Sequence, residues 1–152
     1  MTRTENSQAI TVKRIKLLSF NIEEESLINL TSIIKFEIDA SLAFALDENL
    51  VNLTLRLHYQ PEDKESILTD ITVQNLYEIP DLQQFVTNET EIKLPSLLIS
   101  TITGISISHT RALFALNVSG TLLQDKLPAV INPETVARHF FPNMFEVEKK
   151  IR

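Results

Sequence analysis

The stretch that decides the fold runs from Ile34 to Tyr59 and reads IKFEIDASLAFALDENLVNLTLRLHY. Every even position from Ile34 to Leu46 is apolar, and every odd position from Val51 to Tyr59 is apolar as well. Strand side chains alternate between the two faces of a sheet, so each half predicts a strand with one buried face. The triplet Asp47-Glu48-Asn49 between the halves consists of turn formers, which favours an antiparallel hairpin.

Two more strands flank this hairpin. After a second turn at residues 61–64, the apolar residues Ile67, Ile71 and Val73 alternate with polar ones, which predicts a third strand. Residues 9–22 are also strand-like, but the parity of their apolar positions switches near Lys13-Arg14, which indicates a bulge. We therefore expect a four-stranded antiparallel sheet, arranged as a meander, with one apolar face that needs a covering layer.

The alternation also assigns side chains to faces of the sheet. Lys35, Glu37, Arg56 and Asp70 should face water, and His58, which falls among the polar positions, should be exposed. Eight apolar residues should face the covering layer: Phe36, Ile38, Leu42, Val51, Leu53, Leu55, Ile71 and Val73.

The second half of the chain supplies the covering layer as two predicted helices. Behind Pro95, apolar residues recur at three- or four-residue steps from Leu98 to Leu116, which favours a long helix although this segment is rich in β-branched residues. A loop from about Gly120 leads to Asn132 and Pro133, a capping residue and a first-turn proline, which predict a short helix through His139. The fold class is thus α+β, in one domain over residues 1–152 with residues 1–8 as a disordered tail.

Composition narrows the functional classes. The chain has 152 residues, of which 43% are apolar and 22% charged, which is typical of a folded globular domain. The formal net charge of −6 disfavours nucleic acid as a partner, because affinity for the phosphate backbone depends on cations. No run of about 18 apolar residues and no signal-peptide pattern is present, so we expect a cytoplasmic protein that does not insert into membranes.

The sequence offers no set of residues for catalysis or metal binding. The chain has no cysteine and only two glycines, which excludes thiolate chemistry and the glycine-rich loops that cradle nucleotides. Its histidines, His58, His109 and His139, are scattered and lack metal-ligand spacing. We expect no enzymatic activity, no metal and no cofactor.

The order of these elements resembles the SecB protein-export chaperones, over roughly residues 10 to 145. Two short signatures carry the resemblance beyond the element order: Arg111 near the end of the long helix, and the stretch from Pro128 to Pro133 before the last helix. Ala112 stands where the family usually has glycine, which marks a divergent sequence. The resemblance implies a homo-oligomer, usually a dimer of dimers, that holds unfolded polypeptides in apolar grooves without ATP.

The resemblance also suggests sites. Candidates for the client groove are the aromatic and apolar residues outside the sheet pattern, although ordinary core packing is the alternative: Tyr77, Leu82, Phe85, Phe140, Phe141, Met144 and Phe145. The positions that match contacts to the SecA export motor are Glu23, Leu68 and Asp70, while Ser19 replaces a further acidic residue of the family. The alternative for Glu23 and its acidic neighbours is a solvated loop.

The stripe of small residues Ser100, Gly104 and Ser108 is a candidate contact between subunits. The alternative is that these residues pack inside the chain or face water. Three functions stay open: a general holdase that serves export, a dedicated chaperone of a toxin–antitoxin system, and an assembly or adaptor protein that has lost client binding.

Overall fold

The computed structural model describes residues 9–28, 33–88 and 91–145; the predicted N-terminal tail lies outside these residues. Its main sheet contains four antiparallel strands, and a two-stranded sheet precedes the long helix. The strands are β1 (Thr11–Ile22), β2 (Ile34–Ala45), β3 (Leu50–Pro61), β4 (Thr69–Glu78), β5 (Val86–Thr87) and β6 (Glu91–Ile92), and the helices are α1 (Ser96–Val118) and α2 (Pro133–Phe140).

The strand order in the main sheet is β1-β4-β3-β2. β2, β3 and β4 form the predicted meander, but β1 pairs with β4 at the opposite edge from β2, so the sheet is a Greek key rather than a four-strand meander. Short turns force β2 to β4 to lie side by side, whereas the longer connection from Glu23 to Ile33 links strands at opposite edges, about 14 Å apart. The predicted α+β fold class is confirmed, and the position of β1 is the correction.

β1 contains the bulge that its apolar parity predicts. Its register against β4 shifts between Val12 and Arg14, and it shifts again between Leu17 and Ser19. The two extra residues keep apolar side chains on the covered face on both sides of each bulge. Ile15 and Leu17 stand opposite the covered-face residues of β4, and so does Phe20 after the second bulge.

The predicted faces of β3 and β4 are confirmed. Val51, Leu53, Leu55, Ile71 and Val73 are buried, while the predicted covered-face residues of β2 are half-buried because β2 is an edge strand.

Among the polar positions, Lys35 and Glu37 are exposed, and Arg56 and Asp70 form an ion pair of 2.7 Å on the outer face. His58 corrects the prediction of exposure: only 7% of its surface is accessible, since β3 is an inner strand with a neighbour on each side. Its Nε2 lies 3.4 Å from the Glu37 carboxylate.

α1 packs on β3 and β4 with one side and on α2 with another. Because the sheet and α2 both cover α1, its buried surface is wide and includes polar residues such as Thr103 and Thr110 as well as apolar ones. These hydroxyls donate to carbonyls one turn earlier, on Ile99 and Ser106, at 2.7 and 2.8 Å. That bonding lets threonines be buried in a helix that propensity disfavours. Leu116, which the apolar spacing places on the covered face, is 70% exposed.

α2 begins as the sequence predicts. The Asn132 side chain accepts a hydrogen bond from the Glu134 amide at 2.9 Å, and Pro133 occupies the first turn. No helix in the described part of the chain combines the length and hydropathy needed to span a membrane.

Candidate functional site

An open cleft of about 520 Å³ lies at one end of the covered face, between the start of β2, the end of β3 and the loop of residues 119–132 that joins the two helices. We call this segment the connecting loop. The lining side chains are apolar except for Tyr59 and Lys126: Leu27, Ile33, Ile34, Phe36, Tyr59, Leu122, Leu123, Lys126, Leu127 and Ala129.

Much of this apolar lining is accessible to solvent. Ile33 is 70% exposed, Leu122 55% and Leu127 49%. Contiguous exposed apolar surface with a polar rim is typical of binding sites on soluble proteins. The cleft therefore presents a surface that an apolar ligand can cover.

Aromatic side chains form the floor of the cleft. The Tyr59 ring lies between Phe36 and Phe114, with ring centroids 6.2 and 5.1 Å away. Its hydroxyl donates a 2.6 Å hydrogen bond to the Lys126 carbonyl in the connecting loop. Burial raises the pKa of Tyr59 to about 12, so the hydroxyl keeps its proton and stays a donor at neutral pH.

Arg111 provides a second anchor for the connecting loop. Its Nη2 donates a 2.9 Å hydrogen bond to the Pro128 carbonyl. Arg111 also lines a small pocket with Ile38, Leu57 and Ile131, next to the cleft along β2 and the loop. Two side chains on separate elements thus fix the loop against the sheet.

We expect Tyr59→Phe to loosen the connecting loop while the sheet stays folded. The substitution removes one hydrogen bond, whose net value is about 0.5 to 1.5 kcal/mol, and keeps the aromatic ring. Faster hydrogen exchange across residues 119–132, measured by mass spectrometry, is the expected result.

Tyr77→Phe is the matched control, because it also removes a tyrosine hydroxyl, but one that donates at 3.2 Å to the carbonyl of Ile102 in α1 and not to the connecting loop. This variant should leave exchange in the connecting loop unchanged. Equal exchange in the wild type and in Tyr59→Phe would contradict the anchoring role of Tyr59.

The seven groove candidates predicted from the sequence belong to one apolar cluster at the other end of the sheet. Tyr77 pairs with Val51 at the start of β3, whereas Tyr59 lies near its end. Tyr77 and Leu82 are fully buried, and Phe141 and Phe145 are nearly so. The candidates with more accessible surface are Phe85, Phe140 and Met144, and their contact with a client stays a prediction.

The residues of the cleft were missed by sequence reasoning. Leu122 and Leu127 are apolar residues in a segment predicted to be a loop, and Ile33 precedes a strand. Loop segments are usually polar, so the apolar side chains in this loop were the signal that could have indicated the cleft. Pairing them with Tyr59 required the tertiary structure.

The three predicted motor-docking positions are in different environments. Glu23 is exposed, and the Asp70 carboxylate accepts hydrogen bonds from Arg56 and Asn21 on the outer face. Leu68 is only 1% exposed and packs in the core beside Tyr59, so its side chain is not at the surface. The Leu68 assignment is therefore corrected, because this residue, which immediately precedes β4, faces inward.

At the centre of the small-residue stripe of α1, packing within the chain explains the glycine. A Cβ added to Gly104 would lie 3.1 Å from the Pro133 Cγ, so this glycine permits the close approach of α2 within the chain. The contact of Gly104 with a second subunit stays a prediction, since part of its surface is accessible. Ser108 is exposed and Ser100 is half-buried, and their place in an interface stays a prediction.

The described residues contain no group of three or more histidine and acidic side chains that could hold a metal ion. His109 uses its Nδ1 in a 2.8 Å hydrogen bond with the buried Asn75 side chain. The Asn75 amide nitrogen donates to the Leu53 carbonyl, so the Asn75 side-chain oxygen faces the histidine. Burial lowers the pKa of His109. His109 thus serves the packing of α1 on β4.

Comparison with solved structures assigns the architecture. The SecB-like chaperone Rv1957 of Mycobacterium tuberculosis, solved in complex with a ChAD peptide from the antitoxin Rv1956 HigA1, superposes with a TM-score of 0.53. The fold is SecB-like. The superposition covers 81% of this chain and 86% of the mycobacterial chain, at 10% sequence identity. No model of a protein family matches the sequence, and no characterised protein matches it by sequence.

Proposed function

We propose that this protein is an ATP-independent chaperone that holds unfolded polypeptide segments in the cleft beside the connecting loop. The observation that carries the proposal is the exposed apolar lining of the cleft on a loop anchored by Tyr59 and Arg111. An anchored apolar surface binds side chains of many sequences, because the hydrophobic effect is not directional. The proposed activity is binding alone, without catalysis or a cofactor.

The proposal includes a homo-oligomer, a dimer of dimers. On β1, Val12, Ile15 and Leu17 point toward the covered face, yet each is 38–42% exposed because α1 lies over β3 and β4. This exposed apolar strip of β1 supports association with a second copy. A cytoplasmic location is part of the same proposal.

A dedicated chaperone of a toxin–antitoxin system is the second candidate. The mycobacterial structural neighbour is bound to an antitoxin peptide. The residues matched to the export motor are incomplete here, since Ser19 replaces an acidic residue and Leu68 is buried. A general export chaperone should suppress aggregation of several unrelated proteins, whereas a dedicated one should protect a single antitoxin.

We expect the double variant Leu122→Gln/Leu127→Gln to lose most client binding. The two substitutions place polar amides on the cleft wall and remove apolar contact that each leucine could make, worth about 1.5 to 3 kcal/mol per fully covered side chain. The measurement is light scattering of several chemically unfolded proteins, diluted into buffer without ATP, with the wild type or the variant present.

Leu97→Gln is the matched control, since Leu97 is 79% exposed on α1 and does not line the cleft. It should protect the unfolded proteins as well as the wild type does. A wild type that leaves aggregation of every tested protein unchanged would sink the general holdase. Equal protection by the wild type and the double variant would move the binding site away from the cleft.

A further inference from the structure

The ionisable groups beside the cleft are unevenly distributed. Lys126 lines the cleft, Arg111 lines the small pocket next to it, and no carboxylate side chain lines either one. Lys126 is thus the charged side chain that lines the cleft, in a protein whose formal net charge is −6.

Arg111 differs from the other described arginines. Arg56 and Arg138 each form an ion pair with a carboxylate, at 2.7 and 2.8 Å, and Arg14 is exposed. Arg111 is half-buried, and no carboxylate of the described residues lies within ion-pair distance of it. Its Nε is buried without a hydrogen-bond partner in the described part of the chain. A guanidinium stays charged at any physiological pH, so Arg111 adds positive potential beside the cleft.

Two carboxylates lie near the rim of the cleft. Glu24 accepts a 3.3 Å hydrogen bond from the Leu122 amide, and Asp125 is exposed beside Lys126, but neither side chain lines the cleft. Neither carboxylate pairs with Lys126 or Arg111. Lys126, which is exposed, therefore remains available to a ligand that enters between β2 and the connecting loop, whereas the pocket beside Arg111 has a volume of about 10 Å³ and is too small for a carboxylate.

We propose that the preferred occupant is an extended apolar polypeptide segment that carries an aspartate or glutamate among its apolar residues. This inference rests on the proposed function and names the class of client. Apolar side chains of the segment would cover Leu122 and Leu127, and its carboxylate would approach Lys126 at the cleft. Charge complementarity then selects among segments of similar hydropathy.

The test uses three synthetic peptides that share one apolar sequence and differ only in a central Glu, Gln or Lys. Fluorescence anisotropy with the full-length protein gives their dissociation constants. We expect the dissociation constant of the Glu peptide to be about fivefold lower than that of the Lys peptide, a factor at the upper end of what an exposed ion pair contributes. The difference should shrink as ionic strength rises from 0.01 to about 1 M, because salt screens exposed charges.

Lys126→Glu should abolish or reverse the preference, and Lys16→Glu is its matched control. Both substitutions change the net charge equally, but Lys16 faces the outer side of β1, opposite Gln74. Lys16→Glu should keep the wild-type order of affinities.

Three results would overturn the inference. Equal binding of the three peptides to the wild type removes the charge preference and leaves the proposed chaperone function standing. A Glu preference that persists in Lys126→Glu, or that Lys16→Glu also abolishes, removes the role of the cleft lysine. Failure of all three peptides to bind overturns both this inference and the proposed function.

Discussion

Replacing Phe114 by alanine is expected to lower the free energy of unfolding by about 3 to 5 kcal/mol, the range of large aromatic truncations in cores. Phe114 has no exposed surface and packs against Tyr59, with ring centroids 5.1 Å apart. It joins α1 to an apolar cluster beneath the cleft that includes Leu57 and Ile71. The cavity would form directly beneath the floor of the cleft. Urea denaturation followed by circular dichroism measures the change.

Leu116→Ala is the control, since Leu116 is two residues further along the same helix and is 70% exposed. Its unfolding free energy should stay within about 0.5 kcal/mol of the wild type. If Phe114→Ala changed stability as little as Leu116→Ala does, the orientation of α1 on the sheet would be wrong. Phe36, by contrast, is only half-buried, so its truncation should cost less than that of Phe114.

Gly104→Leu should displace α2 from α1. A Cβ at this position would already lie 3.1 and 3.3 Å from two side-chain atoms of Pro133, and a leucine adds three more carbons in the same direction. Overpacking of this kind costs about 1 to 3 kcal/mol, against a gain of at most about 1 kcal/mol in helix propensity over glycine. We expect lower stability together with faster hydrogen exchange in α2.

Ser108→Leu is the matched control for Gly104→Leu. Ser108 lies one turn further along α1 and is exposed, so the leucine there meets no atom of the chain that would force α2 to move. Sedimentation of both variants adds a second measurement. A change of assembly in Ser108→Leu with α2 intact would support the predicted subunit contact at Ser108. Unaltered exchange in α2 of Gly104→Leu would contradict the packing of Gly104 on Pro133.

The elements with a strong local pattern could be predicted from the sequence. The alternation of Ile34 to Tyr59 predicted β2 and β3 and the orientation of their side chains. The parity switch at Lys13 predicted the bulge in β1, and Asn132 with Pro133 predicted the start of α2. These features depend on neighbouring residues, so a short stretch of sequence contains the information.

The candidate site could not be predicted to the same extent. Tyr59 belongs to β3, whereas the carbonyl that it binds belongs to Lys126 in the connecting loop. The sequence marks both segments, but the contact between them depends on how α1 crosses the sheet. Tyr77 and Phe141, which the sequence suggested for a groove, are buried in one apolar cluster. Tyr77 is covered by α1, because its hydroxyl donates to the Ile102 carbonyl of that helix.

The sequence by itself determined the four long strands, the two helices, the face that each residue of β3 and β4 presents, and the excess of negative charge. Only the tertiary structure decided that β1 pairs with β4, that Gly104 lies against Pro133, and that Lys126 faces an apolar cleft. The physical reason is the distance along the sequence between the residues that interact. Strand alternation and helix capping arise from residues a few positions apart, whereas strand order and the shape of a cleft depend on which distant apolar faces bury each other.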